Sequence, residues 1–394
     1  MKIKILFVMY KLSLGGAEKS LVNLLSALDY NQFDVDLLVF EKGGELEKYV
    51  PSDVNFLDTP KELIACSTSN LFTFVSTFNL SIIWSRLSFK NDNTLSSYRN
   101  KQVKWEKVYK NNIGVLEKKY DIAVGFLHSL VSYFVIDKVD ADKKHLWVHN
   151  DYDRLIDGKD FDYNYFSKAD KIITISKLCE DKLISAFPEF KNKIMWLNNL
   201  NLPSTIEKWS NEFYPKEYLK NIPNIVSIGR LSSQKRFDLA VKAASLLKQK
   251  GYAFNWCIIG DGELKKELTN LINELDVNDC VKLIGKRVNP YPYVKEATLV
   301  LQTSDFEGKS IVIDEAKILH KAIITTNYDT AKDQITSGIT GLIVDKNEVA
   351  ISDGIINLLT NVTLRNEIEN NLVSLCFNYE KELINYFNLF KGVL

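Results

Sequence analysis

The feature that most constrains the fold is an alternation of short apolar runs with longer segments of helical periodicity. Residues 2–9 predict a buried parallel strand, residues 17–28 a helix and residues 33–40 a second strand, which together make one βαβ unit. The pattern continues in later apolar runs at 121–127, 145–148 and 171–175. Strands that alternate with helices pair in parallel, so this part of the chain predicts a doubly wound α/β domain that ends near residue 200.

A second series of the same kind predicts a second Rossmann-like domain. Its predicted strands and helices occupy residues 224–228, 237–250, 255–259, 263–275, 280–284, 298–302, 311–319, 321–325 and 341–344. Between the two series, in residues 201–223, the periodicity lapses. Pro203, Pro215 and Pro223 interrupt this stretch, which is typical of an interdomain connection.

We therefore predict an α/β protein with two doubly wound domains that face each other across a cleft. The N-terminal domain is placed in residues 1–200 and the C-terminal domain in residues 201–375. The final segment, 376–394, is predicted to be helical and to pack back on the N-terminal domain. The length supports this division, because 394 residues are about twice the usual size of a domain.

Charge and composition exclude several classes of protein. Fifty basic side chains balance fifty acidic ones, so no overall field attracts nucleic acid, and any bound anion must be held by a local cluster. The five cysteines form no CxxC pair, which is typical of a reducing compartment. The N-terminal apolar run is too short for a signal peptide, and the uncharged stretch between Glu62 and Arg86 is too polar for a membrane span. We expect a cytoplasmic protein.

The most informative stretch is residues 228–236, which lies between a predicted strand and a predicted helix. It carries Arg230, Lys235 and Arg236 after Gly229. Three cations beside the free N–H groups of a helix start predict a site for a diphosphate. The alternative is an ordinary solvated basic loop.

The second informative stretch is residues 305–316, at the carboxyl edge of the second predicted sheet. We expect Glu307 to end a strand region and Glu315 to lie two helical turns further on the same face. One carboxylate can then accept hydrogen bonds from sugar hydroxyls and the other from ribose hydroxyls. The backbone N–H groups predicted to face the phosphates belong to Gly308, Lys309, Ser310 and Ile311. Either glutamate taken alone is more often a solvated surface group.

These two stretches resemble the nucleotide-sugar lobe of glycosyltransferase family 4, the large retaining GT-B family. The family's paired glutamates match Glu307 and Glu315, and its diphosphate clamp matches Arg230 and Lys235. Its glycine-acid turn and its base-flanking loop match Gly260-Asp261-Gly262 and Gly285-Lys286-Arg287-Val288. The resemblance is strongest over residues 222–345.

In the first lobe the resemblance is weaker. It rests on residues 15–18 and 147–151. Gly15 and Gly16 open the first helix, where similar enzymes contact the donor phosphate or the acceptor; the alternative is a tight turn without a ligand. His149 matches the position of a histidine that contacts the transferred sugar in similar enzymes, and His128, at the end of another strand, is the rival.

One departure from the family pattern affects the donor site. Lys309 and Ser310 follow Glu-Gly where the family often has an apolar residue and a proline, so sugar preference does not carry over. Lys309 either adds a cation at the donor phosphate, which we favour, or reaches solvent.

The resemblance implies a retaining hexosyltransferase. It would move a hexose or N-acetylhexosamine, by default from a UDP-sugar, to a glycan, glycolipid or lipid-linked acceptor in surface polysaccharide or capsule biosynthesis. The leaving diphosphate takes the acceptor's proton while Arg230 and Lys235 stabilise its charge, so we expect no cofactor and no metal. The triplets Asp34-Val35-Asp36 and Asp151-Tyr152-Asp153 imitate metal-binding aspartates, but the first lies inside a predicted strand.

A local excess of positive charge suggests a membrane-facing acceptor. Residues 86–119 contain Arg86, Lys90, Arg99, Lys101, Lys104, Lys107, Lys110, Lys118 and Lys119 against Asp92, Glu106 and Glu117. Just before this run, one predicted helical face carries Leu71, Phe74, Val75, Phe78 and Ile82. Residues 71–119 therefore predict peripheral contact with an anionic membrane at its inner face. An ordinary amphipathic helix beside a solvated one is the equal alternative.

Other functions on similar folds remain open at this point. A nicotinamide-dependent oxidoreductase is disfavoured because residues 14–18 lack the GxGxxG spacing. A sugar-nucleotide epimerase, a glycan phosphorylase and a non-catalytic subunit of a glycosyltransferase complex are the remaining alternatives.

Overall fold

The computed structural model describes residues 2–67, 80–89, 94–149, 152, 158–375 and 379–393. The chain divides into two compact units. Unit 1 comprises Met1–Leu200 and Glu380–Leu394, and unit 2 comprises Asn201–Tyr379. Each unit contains one parallel sheet with helical crossovers, which confirms the predicted α/β class with two doubly wound domains.

The sheet of unit 1 has seven parallel strands in the order β3-β2-β1-β4-β5-β6-β7. These strands are β1 (Ile3–Met9), β2 (Phe33–Val39), β3 (Asn55–Phe56), β4 (Tyr120–Gly125), β5 (Ala141–Val148), β6 (Lys171–Thr174) and β7 (Ile194–Trp196). Strand order reverses between β1 and β4, and a crevice for ligands opens at such a reversal in folds of this type.

Helices cover both faces of this sheet. They are α1 (Gly16–Ala27), α2 (Lys61–Ser67), α3 (Leu80–Ser88), α4 (Ser97–Lys104), α5 (Leu130–Lys138), α6 (Lys159–Phe166) and α7 (Lys177–Ala186), with a π-helical segment at Trp105–Tyr109 and 3-10 turns at Glu47–Tyr49 and Pro188–Phe190. One face of the sheet is also covered by the last helix of the chain, whose Tyr386, Leu389 and Phe390 are buried against β1 and its neighbours. The end of the chain thus completes the core of unit 1.

The sheet of unit 2 has six parallel strands in the order β10-β9-β8-β11-β12-β13. These strands are β8 (Asn224–Ile228), β9 (Asn255–Ile259), β10 (Val281–Gly285), β11 (Leu299–Gln302), β12 (Ile323–Thr326) and β13 (Leu342–Val344). β8 lies at the centre, so the loops after β8, β9 and β11 emerge side by side at the carboxyl edge.

The helices of unit 2 and the last helix of the chain complete the fold. They are α8 (Pro203–Ser210), α9 (Phe237–Gln249), α10 (Lys265–Glu274), α11 (Tyr291–Glu296), α12 (Ile311–Ile318), α13 (Ala331–Gln334), α14 (Glu348–Thr360), α15 (Val362–Val373) and α16 (Tyr379–Phe390), with a 3-10 turn at Ser233–Lys235. Among the residues described above, no helix combines the length and the apolar character needed to cross a bilayer.

The segment predicted to connect the domains contains a helix that the sequence did not predict. Pro203, interpreted as an interruption within residues 201–223, is the first residue of helix α8. Proline suits that position, because the N–H that it lacks would have no intrahelical partner there. Ile206 of α8 is buried in a small cluster with Tyr291 and Ile318 of unit 2.

Candidate donor site

Three loops at the carboxyl edge of the unit 2 sheet are tied together by backbone hydrogen bonds. The N–H of Leu231, after β8, donates to the carbonyl of Asp261, after β9, over 3.1 Å. The N–H of Gly260 donates to the carbonyl of Gly285, at the end of β10, over 3.1 Å. The predicted phosphate, glycine-acid and base-flanking loops therefore form one continuous surface.

Two glycines allow these loops to approach one another. A Cβ on Gly260 would lie 1.8 Å from the carbonyl oxygen of Gly229, and one on Gly262 would lie 2.4 Å from that of Leu231. No side chain can occupy either position without moving the backbone. Asp261 lies between them, with the ammonium of Lys265 at 3.7 Å from its carboxylate.

The structure brings together two residues that the sequence placed 72 positions apart. Lys235 ends the 3-10 turn after β8, and its ammonium lies 2.6 Å from Oε1 of Glu307. The side chain of Lys235 passes over Gly229, where a Cβ would come within 3.1 Å of it. The predicted phosphate cation and the predicted sugar-binding carboxylate are thus in direct contact.

The other two cations of the motif differ in their pairing. Arg236 adopts a left-handed conformation with φ 48° and donates to both carboxylate oxygens of Asp238, at 2.9 and 3.1 Å, at the start of α9. Arg230 is exposed, and its side chain has no hydrogen-bond or ion-pair partner among the described residues. Arg230 and Lys235 therefore remain the candidates for a diphosphate, whereas Arg236 shapes the loop.

The prediction that Glu307 and Glu315 share one helical face is wrong. α12 begins at Ile311, so Glu307 lies in the loop between β11 and α12. This loop is held out of the helix by side-chain hydrogen bonds, among them one from the Thr330 hydroxyl to the carbonyl of Glu307, at 2.9 Å. Glu315 lies inside α12 and is only 1 % exposed. Its carboxylate accepts a hydrogen bond of 2.9 Å from the hydroxyl of Tyr291.

The segment between the two glutamates already uses part of its hydrogen-bonding capacity. The N–H of Ser310 donates to Oε1 of Gln334 over 2.8 Å, and the Gln334 amide donates back to the Ser310 carbonyl over 2.8 Å. The ammonium of Lys309 lies 3.7 Å from the carboxylate of Asp314. The amide of Ser310 is thus satisfied within the protein, and the charge of Lys309 is partly balanced.

The base-flanking loop contains one exposed cation and one structural one. Lys286 is exposed directly after β10. Arg287 donates to the carboxylate of Glu217 at 2.6 Å and to the Tyr293 hydroxyl at 3.1 Å. Tyr293 in turn donates to the other oxygen of Glu217, over 2.7 Å, so Arg287 anchors the loop.

In unit 1 the predicted glycines lie at the start of α1. Gly15 precedes the helix in an extended conformation, and Gly16 is its first residue. A Cβ on Gly15 would lie 2.1 Å from the carboxylate of Glu18 in its present position. The glycine therefore allows Glu18 to fold over the helix start.

His149 and His128 follow the neighbouring strands β5 and β4. The His149 ring lies 5.1 Å from that of Phe126, and its buried Nε2 has no hydrogen-bond partner within the described part of the chain. Burial lowers the pKa of His149 to about 4. The His128 ring lies 5.7 Å from that of Tyr98, and burial, with smaller effects of Lys101 and His149, lowers its pKa to about 3. Both imidazoles are therefore neutral near pH 7, and each offers hydrogen-bonding capacity to a ligand.

The first aspartate triplet lies within the described residues, whereas both aspartates of the second lie outside them. Asp36 lies within β2, and its carboxylate accepts hydrogen bonds from the Tyr120 hydroxyl at 2.6 Å and from Lys118 at 2.8 Å. Asn150, Asp151 and Asp153 lie outside the described residues. Within the described part of the chain, no cluster of three or more His, Cys, Asp or Glu side chains is arranged to hold a metal ion.

The sequence interpretation missed the polar residues that surround Glu307. These are Gln234, Gln302, Ser304 and Thr330. Only Gln302 carried a signal, since it is a polar residue at the carboxyl end of an otherwise apolar predicted strand. The others lie in loops, where the sequence gives no partner.

Comparison with known proteins gives a match centred on unit 2. Residues 211–372 match the family described as Glycosyl transferases group 1. An uncharacterized glycosyltransferase of Methanocaldococcus jannaschii is 31% identical over 177 residues, which are 44% of this chain and 44% of that protein. The chain therefore matches less than half the length of that relative.

Two further proteins are similar over nearly the whole chain. One is N-acetylgalactosamine-N,N′-diacetylbacillosaminyl-diphospho-undecaprenol 4-alpha-N-acetylgalactosaminyltransferase of Campylobacter jejuni, 26% identical over 92% of this chain and 91% of its own length. The other is Anabaena Alr3699/HepE, in its crystal structure in complex with UDP and glucose. It has a TM-score of 0.69 at 16% identity and covers 99% of this chain and 100% of its own. The structural likeness shows a shared fold and confirms the GT-B class.

Proposed function

We propose that the chain is a retaining glycosyltransferase, because residues 211–372 match the glycosyl transferases group 1 family. It transfers a hexose or N-acetylhexosamine from a nucleotide-diphosphate sugar, with UDP as the nucleotide. The acceptor is a glycan, a glycolipid or a lipid-linked oligosaccharide of surface polysaccharide biosynthesis. The observation that carries the proposal is the 2.6 Å contact between Lys235 and Glu307 at the carboxyl edge of the unit 2 sheet.

That contact supports both halves of donor recognition. A diphosphate needs cations, which Arg230 and Lys235 supply on adjoining turns of one loop. A sugar needs hydrogen-bond acceptors for its hydroxyls, and a carboxylate such as Glu307 has only acceptors. A site that presents both groups side by side suits a ligand in which a sugar is joined directly to a pyrophosphate.

The proposed reaction exchanges one bond to the anomeric carbon for another. The bond from this carbon to the phosphate oxygen breaks, and an acceptor hydroxyl forms a new bond on the same face of the sugar. The proton of that hydroxyl passes to the departing diphosphate, whose growing negative charge Arg230 and Lys235 stabilise. Neutral His149 is proposed to hydrogen-bond the transferred sugar. The proposal includes no metal and no cofactor.

The relatives support the donor and acceptor classes. The Campylobacter enzyme is named as an N-acetylgalactosaminyltransferase that acts on a diphospho-undecaprenol-linked saccharide. The Anabaena structure holds UDP and glucose. These names favour a UDP-hexose or UDP-N-acetylhexosamine donor and a lipid-linked acceptor for this chain.

Helix α3 supports the proposed contact with an anionic membrane at the cytoplasmic face. Leu80, Trp84 and Leu87 lie on one side of α3, and each is at least 70% exposed. Ile82, which the sequence placed on the membrane-facing side, is buried instead. The apolar residues predicted at 71–78 lie outside the described residues. α3 packs against the π-helical segment that carries the exposed Lys107, so an apolar face and a cation lie close together.

The test is hydrolysis of a panel of UDP-hexoses and UDP-N-acetylhexosamines without acceptor, followed by proton NMR of the released sugar. We expect UDP release with retention of the anomeric configuration. Lys235→Met should lower kcat/KM about 100- to 1,000-fold, as loss of one preorganised charge donor does. Lys248→Met is the matched control, because Lys248 pairs with Asp279 at the far end of α9. Inversion of the configuration, or equal losses in both variants, would contradict the proposal.

A further inference from the structure

The two carboxylate oxygens of Glu307 have different surroundings. Oε1 accepts three hydrogen bonds, from Lys235 at 2.6 Å, from the Ser304 hydroxyl at 2.6 Å and from the Gln302 amide at 2.9 Å. Among the described residues, Oε2 has one contact, at 3.5 Å from the amide of Gln234. A carboxylate oxygen has about two lone-pair sites, so Oε1 is saturated and Oε2 retains its capacity.

The donors to Oε1 are themselves fixed in orientation. Oε1 of Gln302 accepts a hydrogen bond of 2.5 Å from the Ser310 hydroxyl, and this bond turns the amide nitrogen of Gln302 toward Glu307. Gln302, Ser304 and Ser310 are each less than 5% exposed. Between buried side chains such as these, hydrogen bonds are stronger than in water and reinforce one another.

The backbone that carries Glu307 is also held on both sides. The Gln234 amide donates to the Phe306 carbonyl over 2.9 Å, and the Thr330 hydroxyl donates to the Glu307 carbonyl over 2.9 Å. These partners come from the loops after β8 and β12. The base of the side chain therefore has a fixed position, and the donors to Oε1 determine where its head points.

We propose that Gln302 and Ser304 are positioning residues that hold Glu307 with Oε1 on Lys235 and Oε2 directed to the donor sugar. The inference rests on the proposed function and assigns the sugar contact to one atom. A carboxylate fixed in this way needs no reorganisation when the donor binds. The same network joins the carboxylate proposed to contact the sugar to the cation proposed to hold the diphosphate.

The first experiment compares Gln302→Leu and Ser304→Ala with the wild type in hydrolysis of the UDP-sugar that the wild type prefers. We expect kcat/KM to fall about 10- to 100-fold in Gln302→Leu, the size expected when a hydrogen bond to a charged group is lost. The Kd of UDP alone, which lacks the sugar, should stay within about twofold. Ser304→Ala makes the smaller change to the core and covers the case in which Gln302→Leu folds poorly.

A pH profile separates positioning from general stability. In Gln302→Glu a second carboxyl replaces the amide 2.9 Å from Oε1, and two carboxyls at that distance do not both ionise readily. At low pH the two carboxyls share a proton and stay hydrogen-bonded to each other. As the pH rises this proton is lost, and the two negative charges drive the carboxylates apart. We therefore expect a new fall in kcat/KM on the alkaline side. Lys235 and Tyr328 also face Glu307, and both are the same in variant and wild type.

Asn255→Asp is the matched control for that profile. Asn255 is fully buried at the amino end of β9, the opposite edge of the same sheet, and its amide donates to Asn224 over 2.8 Å. The Asn255→Asp variant should have a lower free energy of unfolding, but its kcat/KM should depend on pH in the same way as that of the wild type. Superimposable profiles for Gln302→Glu and the wild type, or equal changes in UDP and UDP-sugar binding in Gln302→Leu, would overturn the inference.

A crystal structure of Gln302→Leu without ligand tests the positioning independently of activity. We expect the Glu307 carboxylate to rotate or to leave Lys235; an unmoved carboxylate would overturn the inference. A wild type that hydrolyses no nucleotide sugar would instead count against the proposed function. The two failures are therefore distinguishable.

Discussion

At the scale of single residues, His145 is expected to make the protein sensitive to acid. It lies in β5 and is 2% exposed, and among the residues that the structure describes neither of its ring nitrogens has a hydrogen-bond partner. Burial lowers its pKa from 6.5 to about 4, so the unfolded chain binds this proton more readily than the native state. The stabilising effect of a neutral His145 is present above pH 6.5 and is lost as pH falls toward 4.

The prediction is that His145→Leu removes part of the acid sensitivity. By linkage, the wild type should lose about 2 kcal/mol of unfolding free energy between pH 7 and pH 5 through this histidine alone. Urea unfolding followed by tryptophan fluorescence at both pH values measures it. Leu146→Val, on the same strand, is the control and should lower the free energy of unfolding by the same amount at both pH values. An unchanged slope in His145→Leu would show that another group dominates.

Sequence patterns predicted the charged members of the donor site better than its neutral ones. Lys235 and Glu307 were identified because the cations lie beside a predicted helix start, the acids follow a predicted strand, and both match residues of the family that the sequence resembles. Thr330 was not identified, because a neutral side chain in a loop acquires its partner only when distant segments meet. Thr330 directly precedes α13 and lies 23 residues away from its partner Glu307 along the chain.

At the scale of elements, strands and helices with a clear hydrophobic period were predictable, and very short strands were not. The run at 224–228 matches β8 residue for residue. β3, with two residues, and β7, with three, are too short to show a period. Helix α8 was missed because proline was interpreted as a break rather than as a helix start.

The exposed apolar face of α3 is expected to contribute to binding of anionic membranes. Trp84→Ser combined with Leu87→Ser should weaken binding to vesicles of phosphatidylglycerol and phosphatidylcholine at least about tenfold. Burial of each such side chain contributes about 1.5–3 kcal/mol. Both residues are at least 70% exposed, so their loss should leave folding intact. Cosedimentation at low and high salt measures the binding.

Two exposed residues of unit 2 supply the control for the vesicle experiment. Ile339 is 52% exposed and Val349 is 53% exposed, and neither lies on α3. Ile339→Ser with Val349→Ser should bind vesicles like the wild type. Equal binding by all proteins, or no binding by the wild type, would rule out α3 as the membrane-facing element.

At the scale of the whole molecule, the two units have separate cores, and the end of the chain belongs to the first. Phe390 of α16 is 2% exposed and contacts the rings of Phe7 in β1, at 5.8 Å, and Phe33 in β2, at 6.2 Å. The Tyr386 hydroxyl donates to the carbonyl of Asn198 over 2.9 Å. Unit 1 therefore lacks a large part of one core face until α16 is in place.

Phe390→Ala should accordingly destabilise unit 1 selectively. Removal of a buried phenylalanine costs about 3–5 kcal/mol, and cooperative units exchange their amide hydrogens separately. Hydrogen exchange read by mass spectrometry should show faster exchange in β1 and β4 and unchanged exchange in β8 and β11. Val393→Ala, at a site 70% exposed in the same segment, should change neither. Equal acceleration in both units would mean that the chain unfolds as one cooperative body, and the separate-core interpretation would then be wrong.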